Sequence, residues 1–277
     1  MVPSDDKYRG LRRLPPFPAV ATKLLRLLSN DDVAVKGIVD LIRADPALAS
    51  ELMRVVNSPL YGFPARIGSI QSAVTLLGLQ TVRGFALTVS MKGFLHTALR
   101  LDVLRRIWRH CLACGMLCEE ISAACSSSQG GDDRAYTAGL LHNVGRLGLF
   151  VAHPRAYAEL LSGPPEGDIL ERERAAFGLD HCEAGAWLAH SWGLPQDLEA
   201  VIAGHHQPVN TAAFELADVV RVAVLAADAL GFDVLPPVPP RTLASVRAML
   251  PEAAQYRFDP DPDALVAKLT DRLNTFD

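Results

Sequence analysis

Apolar residues recur every three to four positions along almost the whole chain, and no segment alternates apolar with polar residues between tight hairpin turns. A chain with that period buries one stripe per element and satisfies itself by packing helix on helix. The expected fold class is therefore all-α. Local punctuation supports the division into helices. LPPFPAVATKLL sets prolines before a helix that carries Val20 and Leu24 on one face, and Asp45-Pro46 reads as an N-cap followed by the first helical position. Asn57-Ser58-Pro59 stops that helix, Ser69 can cap the next, and Gly78 ends it before Thr81 opens another. GLDHCEAGAWLAHSWGLPQDLEAVIAGHH reads as two short helices parted by Gly193-Leu194-Pro195, with Asp180 and Glu183 as a capping box.

Composition matters for what it excludes. In 277 residues, 49% are apolar and 21% charged, with a net charge of −4, so an ample core needs no disulfides and no basic nucleic-acid surface is advertised. MVPSDDKYRG contains no apolar signal core, and the most apolar later stretch, FALTVSMKGFL, contains Lys92 and follows Arg83. The expectation is a soluble cytoplasmic protein with neither a membrane nor a nucleic acid as partner. Cysteines at 111, 114, 118, 125 and 182 fit no secreted disulfide framework. CLACGMLC looks like a metal motif, but its spacing also places the thiols along one helix face, where cysteine serves as a small hydrophobe. The core reading is favoured.

Of eight histidines, five (His110, His142, His181, His205 and His206) fall at or near the ends of expected helices in the second half, and Asp228 lies on the helix after them. No short motif joins them, so only a fold that converges those helices makes a site. Imidazole and carboxylate are the ligands of hydrolytic divalent-ion centres, where a metal-bound hydroxide is the nucleophile. For a single histidine the bland reading, a hydrogen-bonded interior residue, is the stronger one.

The runs LPPFPAVATKLL, DPALASELMRVVNSPLYG, IGSIQSAVTLLGLQTVRG and AGLLHNVGRLGL resemble the HDOD domain, a bacterial signalling module of the HD superfamily, over residues 8 to 235. The resemblance implies an all-helical fold of two lobes, 8–100 and 101–235, the second derived from a metal-dependent phosphohydrolase core and held to be catalytically degenerate. Residues 236–277 then form a proline-rich connector and a C-terminal helical extension. The resemblance also implies a candidate metal set, His110, His142, Asn143, His181, His205, His206 and Asp228, in the ligand order of the HD-GYP phosphodiesterases that cleave cyclic di-GMP. Two departures stand out: Asn143 replaces the bridging aspartate, and QPVN follows His206 where a Gly-Tyr-Pro loop is expected.

With Asn143, Asp228 is the only carboxylate left in that set, too little anionic charge for two divalent ions held close together. Neutral imidazoles leave room for one divalent ion, iron, manganese, zinc or nickel, and retained binding of one ion stands level with histidines that persist as metal-free remnants. No catalytic residue is assigned. The expected function is a non-catalytic signalling module acting through a protein partner or a bound small ligand such as a nucleotide, with the cleft between lobes as its working surface. The alternative is a metal-dependent phosphohydrolase acting on a nucleotide or cyclic di-GMP.

Overall fold

A computed structural model describes residues 5–14, 16–28, 35–59, 61–64, 66–95, 101–126, 131–164, 167–236 and 239–276. Among them every regular element is a helix, as the apolar period requires. The chain divides into two compact units, one of residues 17–97 with 263–277, the other of residues 1–16 with 98–262.

The first unit holds α1 (Ala19–Leu28), α2 (Val35–Arg43), α3 (Pro46–Val56), α4 (Ile70–Leu77) and α5 (Leu79–Leu95). Its core is built from Leu24, Ile38, Leu52, Val56, Val82 and Leu87. The Asp45 carboxylate accepts from the backbone N–H groups of Ala47 (3.0 Å) and Leu48 (3.1 Å), which starts α3 as its sequence predicts. After α3, Asn57 donates to the Met53 and Ile67 carbonyls and accepts from the Ile67 N–H, pinning the following loop to the helix end. Ser69 accepts from the Ser72 N–H at 3.0 Å. Gly78 adopts φ 81°, and α5 resumes at once at Leu79, two residues ahead of the expected Thr81, because the glycine alone makes the turn.

The second unit holds α6 (Asp102–Cys125), α7 (Ala135–Leu141), α8 (Val144–Ala152), α9 (Pro154–Ser162), α10 (Ile169–Phe177), α11 (His181–Ser191), α12 (Gln196–Gly204), α13 (Leu216–Ala229), α14 (Leu243–Arg247) and α15 (Glu252–Arg257). Helix α6 is the spine, packed against α7 and α13, while α11 packs against α8 and α12. Two glycines make these approaches possible. A Cβ on Gly139 of α7 would lie 2.7 Å from the Cys118 sulfur, and one on Gly145 of α8 would lie 1.8 Å from the His181 carbonyl oxygen. Cys111, Cys114 and Cys118 are buried on α6, in keeping with the hydrophobe reading, and Cys125 is half-buried.

Both chain ends depart from the expected division. Leu11, 2% exposed, packs over Gly148, and Tyr8 stacks on Trp187 with ring centroids 5.3 Å apart, so the first residues join the second unit. The last helix, α16 (Pro262–Phe276), instead buries Leu269, Leu273 and Phe276 in the first unit, with Phe276 against Phe85 at 5.4 Å. The C-terminal stretch is thus a docked core element. Asp180 accepts from the Glu183 N–H at 2.8 Å, but the Glu183 carboxylate pairs with Lys7 at 3.5 Å. Among the described residues no single helix is long and apolar enough to cross a membrane.

Candidate metal centre

His142 and Asn143 form the turn between α7 and α8; His181 opens α11, and His205 closes α12 with His206 after it. His110 differs from expectation: it lies inside α6, whose 24 residues run on without a break. The second unit brings all five histidines together. Ring centroids are 5.3 Å apart for His110–His142, 5.0 Å for His142–His205, 5.2 Å for His181–His205 and 4.7 Å for His205–His206. His110, His142, Asn143, His205, His206 and Asp228 line one cavity of about 200 Å³, and His181 meets it through His205 and His206.

Four of the imidazoles are held in one tautomer. His110 Nδ1–H donates to the Phe232 carbonyl (2.7 Å), His142 Nδ1–H to that of Gly139 (2.6 Å), His205 Nδ1–H to that of Ile202 (2.8 Å), and His181 Nδ1–H to the Glu173 carboxylate (2.6 Å). Each acceptor is an oxygen without a proton, so each Nδ1 carries the hydrogen and each Nε2 presents a lone pair. Those lone pairs converge. His181 Nε2 lies 3.2 Å from His205 Nε2 and 3.1 Å from His206 Nε2, and the buried His142 Nε2 has no hydrogen-bond partner. Two lone pairs at 3.2 Å repel unless a cation sits between them, so this donor set fits a metal ion. Tetrahedral coordination with bonds of about 2.0–2.1 Å places neighbouring nitrogens roughly 3.3 Å apart, close to the observed edges.

The histidines are also kept neutral. Burial lowers the pKa of His110 to about 4, and burial lowers those of His142, His181 and His205 well below the usual imidazole value, with other rings adding repulsion at each and the Arg146 guanidinium adding it at His110, His142 and His181. Asp228 lies 3.8 Å from His110, on the Nδ1 side of the ring. Burial raises its carboxyl to about 7, with Asp233 adding to the rise.

Asn143 is turned to another task. Its side-chain oxygen accepts from Arg146 Nε at 3.0 Å, and the same guanidinium bonds the Tyr157 hydroxyl and the Glu173 carboxylate, each at 3.3 Å. Glu173, 0% exposed, accepts from the Tyr157 hydroxyl (2.8 Å), the His181 N–H (2.8 Å) and the His181 ring. Arg146, Glu173 and Tyr157 were not among the expected site residues. Arg146 had a signal, a lone charge in the apolar helix NVGRLGLFV. Glu173 had none, since it sits among four charges in LERER.

The HDOD domain profile matches residues 14–208, which is most of the chain. The chain belongs to the HDOD family. An HDOD domain protein from Geobacter sulfurreducens shares its fold, 22% identical with a TM-score of 0.73, covering 98% of this chain and 96% of that one. A Shewanella amazonensis SB2B protein named as a candidate phosphohydrolase is 25% identical with a TM-score of 0.69, over 98% and 96% of the two chains. A curated but uncharacterized Treponema pallidum (strain Nichols) protein is 28% identical over 195 residues, 70% of this chain and 37% of that one. This HDOD chain therefore spans little more than a third of that relative's length.

Proposed function

We propose that this HDOD chain is a non-catalytic signal-transduction module of the bacterial cytoplasm, which acts through a signalling protein partner or a small ligand received in the histidine cavity. The observation that carries the reading is the Arg146–Asn143 hydrogen bond. In a dinuclear hydrolytic centre the residue after the histidine must offer a shared anionic oxygen to two ions. Here that oxygen is an amide's, and it is turned to a buried guanidinium. That oxygen is committed to the Arg146 N–H and brings no negative charge to offset the repulsion between two divalent ions. One ion, iron, manganese, zinc or nickel, held by neutral imidazoles is the cofactor this arrangement accommodates.

The convergence of Nε2 lone pairs favours a second reading, a metal-dependent phosphohydrolase acting on a nucleotide or cyclic di-GMP. A phosphodiesterase assay with cyclic di-GMP at supplied manganese and iron separates the two. Wild type should stay at background, and metal-dependent turnover abolished by His142→Ala would establish the second reading. Asn143→Asp should stay at background as well, because the new carboxylate faces Arg146 Nε and forms an ion pair in place of a metal bridge. Its metal content, measured on the same sample, should not rise to two ions per chain.

A further inference from the structure

We propose, resting on the one-ion reading above, that Cys114 joins His110 and His142 at one corner of the histidine cavity in a thiophilic site that takes a borderline divalent ion such as Zn²⁺ or Co²⁺ through two imidazole nitrogens and one thiolate. His110 and Cys114 are four residues apart on α6, so both project from one face toward the α7–α8 turn that carries His142. Their candidate ligand atoms all lie within 4.8 Å of one another, and Cys114 Sγ is 3.4 Å from His110 Nε2. Bonds of about 2.3 Å to sulfur and about 2.0 Å to nitrogen at a tetrahedral angle require a ligand edge of roughly 3.5 Å. The Cys114–His110 edge therefore matches coordination geometry, and the edges to His142 lie within 4.8 Å.

A second observation points to a ligand. Both Nδ1–H groups are anchored on backbone carbonyls, which leaves the Nε2 atoms as acceptors, and His142 Nε2 is fully buried with no donor to meet it. An orphaned buried acceptor costs about 1–3 kcal/mol, which a bound cation offsets. Charge favours this corner of the cavity over the all-histidine corner. A thiolate supplies the anion that Asn143 does not, and zinc and cobalt prefer it to an amide oxygen. On binding, the Cys114 S–H bond breaks and the S–metal bond forms; the proton passes to solvent through the cavity that His110 and His142 line, and no electron is exchanged.

The other thiols do not share this placement. Cys182 approaches His205 at Nδ1, the nitrogen whose proton already goes to the Ile202 carbonyl. Cys118 packs against the Gly139 backbone, where a Cβ would strike its sulfur. Cys182 also lies within reach of His181, His205 and His206, but at His205 it meets the protonated nitrogen, whereas Cys114 meets His110 at its open Nε2.

The test is spectroscopic and independent of turnover, so its result stands whether or not the chain hydrolyses phosphodiesters. Chelator-stripped protein, kept reduced and loaded with one equivalent of Co²⁺, should show a near-ultraviolet thiolate-to-cobalt charge-transfer band that Zn²⁺ displaces. Cys114→Ser should abolish the band and weaken Zn²⁺ binding by at least roughly 10 to 100-fold, while Cys182→Ser and Cys118→Ser keep it. Should Cys114→Ser fail to fold, as circular dichroism would report, zinc-edge X-ray absorption of the wild-type chain counts sulfur directly, and one sulfur ligand is expected. No band and no sulfur ligand in wild type, or a band lost in Cys182→Ser but kept in Cys114→Ser, overturns the proposal.

Discussion

Freed of metal by a chelator and titrated downward from pH 7.5, the second unit should unfold in acid, steeply, between about pH 6 and pH 4. Four buried histidines, His110, His142, His181 and His205, have folded-state pKa values depressed by burial, to about 4 for His110 and well below the ordinary value for the others. An imidazole in the unfolded chain titrates near 6.5. Below that pH the unfolded chain takes up protons that the folded chain refuses, so the stability these groups contribute is present above pH 6.5 and lost as pH falls toward the folded values. Asp228 works the other way. Its carboxyl, raised to about 7, keeps a proton when folded that it would give up unfolded, which offsets about one of the four.

Each proton that the unfolded chain binds and the folded chain refuses costs about 1.4 kcal/mol per pH unit, against about 5–15 kcal/mol for the whole stability of an ordinary domain. Trp108, Trp187 and Trp192 all lie in this unit, so tryptophan fluorescence reports its unfolding selectively. Zinc at saturating concentration should move the midpoint to lower pH, because a bound ion must be displaced before the imidazoles can protonate. A metal-free midpoint below pH 3, or a transition no steeper than one proton, would mean that these rings are not held neutral inside.

Much of this was legible in the sequence, and the reason is local. Asp45-Pro46, Ser69, Gly78 and Asn57-Ser58-Pro59 act through their own backbone within a few residues, so a helix start or stop is written where it occurs. The histidines were legible as a set only because family resemblance supplied the convergence; 32 residues part His110 from His142, and no periodicity carries that distance. Arg146 and Glu173 were harder still. Their meaning is mutual, since a charge becomes buried only through its partner, and 27 residues separate the two. The docked α16 belongs to the same class. Its stripe of Leu265, Leu269 and Leu273 announces an amphipathic helix, but nothing within it says which unit receives it.

Replacing Glu173 should do more damage than any other single change in the site. Its carboxylate, 0% exposed, holds four donors, the Arg146 guanidinium, the Tyr157 hydroxyl, and the backbone and ring N–H of His181. In Glu173→Ala the guanidinium, on a residue only 5% exposed, keeps its charge but loses its counterion, and three further donors face a void. Breaking a buried pair from one side costs about 3–5 kcal/mol, because the stranded charge can neither reach water nor neutralise. The chain should show that loss as a lower urea midpoint with little change in slope. Removing both charges should be milder. Arg146→Met with Glu173→Leu leaves no ion to strand, so the double variant should be more stable than Glu173→Leu alone. Metal binding follows a different order. Both the single and the double variant release His181 Nδ1–H, so His181 loses its fixed tautomer and zinc affinity should fall roughly 10 to 100-fold in each, whatever the stability. A Glu173→Ala chain within 1 kcal/mol of wild type would mean that the Arg146 guanidinium reaches water and that the buried network holding the Asn143 oxygen is not tied to Glu173.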